Sequence, residues 1–195
     1  MDTSSNLTGK LLIAMPGMLD PRFERTVILI CAHSDDGAMG LVVNRALPDV
    51  RFPQLLEQLG IGPGHATRDI PVRFGGPVEP GRGFVLHRAE AVGDDPDHAD
   101  PEGTVRIDDD LVMTTTRNIL EDFAAGLGPE PAVLALGYAG WGPGQLDNEI
   151  LQNGWLTSER GDEIVFGTDN DAKWMLALRD MGIDPLLLSP SAGHA

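Results

Sequence analysis

The stretch PAVLALGYAGWGPGQLDNEI, residues 131 to 150, constrains the fold more than any other part of the chain. From Ala132 to Ala139 it carries no charge and almost no polar group, so neither face can meet water. As a strand, such a run belongs in the middle of a sheet, covered on both sides. Four glycines and Pro143 follow, around Tyr138 and Trp141. Glycine permits a sharp turn, and Pro143 suits the first turn of a helix continuing through Gln145 to Ile150. Strand, glycine corner, helix is also a layout that holds anions. However, the corner has no Gly-Lys-Ser/Thr and its spacing departs from G-x-G-x-x-G, so neither nucleotide fingerprint is present. A packing corner, a ligand-binding corner and a catalytic turn all fit these residues.

The remaining elements arrange themselves around this strand. KLLIAMP and TVILICAH are short apolar runs bounded by turn residues and read as buried strands. SDDG at 34 to 37 is turn chemistry, and GLVVN returns as a hairpin partner. Phe52, Leu55, Leu56 and Leu59 share one helical face, with Pro53 in the first turn. PVRFGGPV and RGFVLHR read as two strands joined around Pro80-Gly81. A second helix is predicted over 116 to 127, EIVFG as a late strand, and TDND as a capping box opening a last helix that ends at Gly182. Hairpins early and helices late argue for an α+β fold, not a doubly wound parallel one. The final LLLSPSAGHA is expected to be loose at its end.

Charge narrows the function classes. The net charge is −16, and residues 90 to 110 alone supply nine acids against one base. The other 21 acids and 13 bases still leave −8, so the body is acidic even without that segment. Phosphate backbones need a basic surface, and no Lys/Arg cluster exists, so direct nucleic-acid binding is not expected. The acidic run reads as a solvated loop at about 93 to 102; it lacks the glycine and terminal glutamate of a calcium loop. No apolar run is long enough to span a membrane, and the apolar N-terminal segment, broken by Pro16, is too short for a secretory signal. Cys31 is the sole cysteine and sits in an apolar strand, which suits a reducing cytoplasm.

The chemistry-bearing residues are few. His33, His65, His87, His98 and His194 are too widely spaced for a metal motif, and no cysteine pair supports them, so no metal is expected. No G-x-S-x-G elbow is present. Gln145 and Glu149 are four apart and share a helix face, followed by Asn153. They form either a solvated edge or a polar row under Trp141. FGGPV at 74 to 78 is a second glycine corner, and VVNR at 42 to 45 ends a strand with Asn44 and Arg45.

In order and over nearly the full length, GKLLIAMPGMLDPRFERTVILICAHSDDGAMGLVVNR, FGGPVEPGRGFVLHR, LGYAGWGPGQLDNEILQNGWL and GIDPLLLSPSAGHA resemble the YqgE/AlgH family of bacterial proteins. The acidic stretch around 93 to 102 departs from the family pattern. The resemblance implies a curved, barrel-like, mixed or antiparallel sheet flanked by helices in a single compact α+β domain. It implies no established enzyme activity and no cofactor. Some members carry a transcriptional-regulator label, but no helix-turn-helix with a basic recognition helix can be placed in this chain.

These readings converge on one domain over 1 to 195 that binds a small ligand or peptide and regulates through protein partners. Asn44, Arg45, Gly75, Gly76, Tyr138, Trp141, Gln145 and Glu149 are its expected site. Arg45 would pair an anionic group, Trp141 would stack, and Gln145 with Glu149 would orient a polar ligand. The rivals are a hydrolase using Glu149 or His87 as base, and a regulator that touches no DNA directly.

Overall fold

The computed structural model describes residues 6–89 and 102–184. All but the last residue of the acidic run at 93 to 102, the closing tail, His98 and His194 lie outside those residues. Strand β1 (Leu11–Ala14) shows why the early apolar runs are continuous. Leu11 and Ile13 enter one core cluster while Leu12 and Ala14 enter another on the opposite face. β2 (Val27–Ser34) repeats the alternation, with Val27, Leu29 and Cys31 on one side and Ile28 and Ile30 on the other. A sheet covered on both faces has no polar period to display.

β3 (Gly37–Val42) closes the expected hairpin with β2, turning through 34 to 37. Helix α1 (Phe52–Gln58) follows, then β4 (Val72–Phe74), β5 (Val78–Arg88), β6 (Thr104–Arg106) and β7 (Leu111–Thr114). Helix α2 (Arg117–Ala124) leads into β8 (Ala132–Trp141), and α3 (Gln145–Leu151) leads into β9 (Trp155–Ser158). Helices α4 (Asp162–Phe166) and α5 (Lys173–Asp180) complete the described chain.

The strands form one curled sheet in the order β6-β7-β5-β8-β3-β2-β1-β9, with β4 also paired to β8. Among the described residues only the β4–β8 pair is parallel. β8 is central, as its composition requires, bonding to β3, β4 and β5. Inside the curl, α4 and α5 place Ile164, Val165, Trp174 and Leu178 against β1, β2 and β5. On the outside, α1 and α2 cover the β5–β8 half, where Phe52 meets Phe123 edge-on at 5.9 Å. Helix α3 covers the β1–β3 half through Leu146. This is the expected α+β arrangement of a curved sheet flanked by helices.

Three local expectations are corrected. EIVFG is helical in α4, because Gly161 releases the chain and Asp162 and Glu163 occupy the first turn, where the helix dipole favours acids. A short apolar run has no period that separates strand from helix. TDND does not cap α5: the helix starts at Lys173, and Asp169 instead accepts the Ala172 N–H at 3.2 Å. PVRFGGPV and RGFVLHR do supply two strands, but the join lies at 75 to 77 and not around Pro80-Gly81, which is inside β5. β4 and β5 each pair with β8, and residues 79 to 82 loop out of the β5 register.

Two buried cations lie within the curl. Arg73 and Lys173, each 1 % exposed, both donate to the Val43 carbonyl, at 2.9 and 3.0 Å. Arg73 also reaches the carbonyls of Val165 and Gly167, tying β4 to α4. Among the described residues no helix is long and apolar enough to cross a membrane.

Candidate functional site

Glu149 is the hub of the site. The strand–corner–helix stretch ends β8 at Trp141 and opens α3 at Gln145, with Gly144 left-handed (φ 66°) as the helix cap. One turn into α3, the carboxylate of Glu149 turns back under the corner. Its Oε2 accepts the indole N–H of Trp141 at 3.0 Å and that of Trp155 at 2.9 Å. Its Oε1 accepts the Gln145 amide at 2.9 Å, while the Gln145 carbonyl oxygen accepts the Gly142 N–H at 3.0 Å. The Gln145/Glu149 row is therefore tied to the corner by hydrogen bonds, with Gln145 exposed and Glu149 half-buried.

The two indoles stand edge to face, centroids 6.2 Å apart and planes at 82°. Phe23 continues the wall, 5.7 Å from Trp155. Together they border a cavity of about 650 Å³, within the usual range for small-molecule sites. The loop from Met15 to Phe23, Pro77 with Val78, and the turn from Gln152 to Gly154 also line it. Leu19 in that loop is 98 % exposed at the mouth. Arg22 and Asp20 form a bidentate pair on the rim.

The structure divides the eight expected site residues. Trp141, Gln145 and Glu149 line the cavity, and Pro77 and Val78 bring the second glycine corner to it. Gly75 and Gly76 lie beneath, where backbone passes backbone. The Gly75 N–H donates to the Leu136 carbonyl at 2.7 Å, and a Cβ on Gly76 would fall 2.0 Å from the Tyr138 carbonyl carbon. Tyr138 turns into the curl and packs against Phe84 at 5.9 Å. Asn44 and Arg45 border a separate hollow of about 350 Å³ beside Arg25 and Trp174. There Asn44 bridges the Val27 N–H and the Arg25 carbonyl, and Arg45 donates to the Glu24 carbonyl.

Sequence reasoning missed Trp155 and the Met15–Phe23 loop. Trp155 lies in β9 and reaches Glu149 because β9 pairs with β1, a contact no local pattern announces. The loop did carry a signal, since PGMLDPRF sets apolar residues between prolines. His87, 9 % exposed, is fixed by the Arg88 carbonyl and the Thr114 hydroxyl, each at 2.8 Å. Among the described residues no group of three His, Cys, Asp or Glu is placed to hold a metal.

Fold and cavity together define a class: an α+β domain with a curled, mainly antiparallel sheet, whose central strand turns through a glycine corner into a tryptophan-walled cavity. A family model described as AlgH-like matches residues 11–186. A UPF0301 protein of Paracoccus denitrificans is 70% identical over the full length of both chains, and one of Cereibacter sphaeroides is 54% identical over 97% of this chain and 100% of its own. The solution structure of AlgH from Pseudomonas aeruginosa superposes with a TM-score of 0.76 at 37% identity, covering 100% of this chain and 99% of that one. A crystal structure of a Corynebacterium diphtheriae protein, 23% identical, shares the fold with a TM-score of 0.73 over 97% of this chain and 94% of its own. The chain belongs to the AlgH-like family.

Proposed function

We propose that this protein is a regulatory domain that binds a small ligand or a peptide in the Trp141–Trp155 cavity and acts through protein partners. The observation carrying this reading is the Glu149 cluster, a charged side chain held in place at the wall of an open cavity by three donors. Pre-positioned polar groups in an apolar hollow are what fix the orientation of a bound molecule. The exposed Leu19 at the mouth offers apolar surface to a partner or a peptide.

The geometry favours binding over hydrolysis by Glu149 or His87. Both His87 nitrogens are engaged, and three of the roughly four acceptor positions of Glu149 are taken by indole and amide donors. A general base needs its own reach to a reacting proton. The acidic chain also favours action through protein rather than DNA contacts, in a cytoplasmic setting that suits the buried Cys31. Native mass spectrometry of the purified protein tests the reading. A bound species should accompany the wild type and be lost from Val78→Trp, which fills the cavity wall. A protein that carries nothing and captures nothing from a metabolite or peptide extract would overturn it.

A further inference from the structure

Glu149 is a carboxylate whose charge nothing cancels. Its three partners are neutral donors, and no cation is paired with it among the described residues. Neutral donors satisfy a carboxylate's lone pairs but bring no opposite charge to it. A carboxylate offers about four acceptor positions, and three are filled here, leaving one on Oε1.

What surrounds that charge is aromatic. The perpendicular Trp141 and Trp155 make a corner, extended by Phe23, and Met15 and Met18 add soft thioether surface. Aromatic faces carry negative potential and attract ammonium and guanidinium groups. The rim already contains one such contact: the Arg22 guanidinium lies 5.7 Å from the Phe23 ring centre while paired with Asp20. The charged lining groups, Asp20 and Glu149 against Arg22, sum to −1. An anion would meet that charge unfavourably, and a purely apolar ligand would leave the last Glu149 acceptor unmatched.

We infer that the cavity recognises an organic cation, a primary ammonium or guanidinium on an aliphatic stem, with Glu149 as counter-charge and Trp141, Trp155 and Phe23 as walls. This rests on the binding reading above and specifies its ligand class. The same chemistry is offered by a free polyamine and by a lysine or arginine side chain of a peptide. The acidic chain as a whole draws cations of either origin toward the site.

The chain's three tryptophans supply the test. The indole N–H signals of Trp141 and Trp155 report on Glu149, while that of Trp174, donated to the Ala14 carbonyl, serves as an internal control. Cadaverine and the blocked peptide Ala-Lys-Ala are titrated in heteronuclear NMR beside pentanediol, glutarate and the norleucine peptide. The cations should shift Trp141 and Trp155 but not Trp174, at concentrations roughly tenfold below the neutral and anionic probes. The tighter of the two cations identifies the source, free amine or peptide. Glu149→Gln keeps an acceptor for both indoles and should weaken the cations at least roughly tenfold, a unit counter-charge being worth that much at a partly desolvated site. Arg22→Ala, which removes the competing guanidinium, should strengthen them. Equal binding of pentanediol or the norleucine peptide, or indifference to Glu149→Gln, would overturn the cation inference while leaving a binding cavity. Silence from every probe overturns it too, and the binding reading is then decided by the mass spectrometry described above.

Discussion

Glu149 shows how much chemistry a single residue carries here. Removing its carboxylate orphans two indole N–H donors on tryptophans that are 8 % and 4 % exposed. An unsatisfied buried donor costs about 1–3 kcal/mol, so Glu149→Ala should destabilise the protein by at least that much in urea melts. Glu149→Gln, which still accepts, should cost less than about 1 kcal/mol. The row of Gln145 and Glu149 was legible from its four-residue spacing. That both indoles converge on Glu149 was not, because Trp155 comes from a different strand. A second residue-scale prediction concerns Lys173. Burial, and then the Arg73 charge, pull its ammonium from 10.5 down to about 7, against a smaller upward pull from Asp169. Unfolding restores the ordinary value, so between about pH 7 and 10.5 the unfolded chain binds more protons and stability rises with pH. Below about pH 7 both states are protonated, the slope vanishes and the full penalty remains. Cys31 acts oppositely above pH 9.0, since burial pushes its thiol up to about 12 and the unfolded chain ionises first. Urea midpoints should therefore climb from about pH 7 to 8.5 in the wild type and stay nearly level in Lys173→Met.

At the scale of elements, composition identified β8 and topology explains it. An uncharged run had to lie between strands, and β8 lies between β3 and β5. The two faces of β1 and β2 were equally legible from unbroken apolar runs. Elements that depend on distant contacts were not: the packing of Ile164 and Val165 in the curl adds to the local signals of α4, and β9 is a strand through its pairing with β1. The two glycine corners were visible, and glycine at both permits the close backbone approach that brings them together. That contact makes a sharp prediction. A Cβ on Gly76 would lie 2.0 Å from the Tyr138 carbonyl carbon and 2.4 Å from the Ala139 nitrogen. These are backbone atoms of the central strand and cannot yield without breaking its pairing. Gly76→Ala should cost more than about 3 kcal/mol in denaturant melts. Gly81→Ala, whose Cβ meets nothing within 4 Å, should stay within about 0.5 kcal/mol of the wild type.

For the whole molecule, charge is the property that limits partners. The chain has 30 acids against 14 Lys and Arg residues, and its two most buried cations, Arg73 and Lys173, point into the curl where no phosphate reaches. Several outer arginines are committed to carboxylates: Arg160 to Asp108, Asp110 and Asp162, and Arg88 to Asp110 and Asp162. Counterion release requires cations free to face successive phosphates along a groove. The helices available to enter one are short, and α2 carries acids at Glu121 and Asp122 on its outer side. The protein should therefore show no sub-micromolar affinity for plain duplex DNA in fluorescence anisotropy at about 100 mM salt. Lowering the salt should not rescue binding, because repulsion between an acidic surface and phosphates strengthens as screening weakens. Tight, salt-sensitive binding to duplex would contradict this and restore a direct transcriptional role.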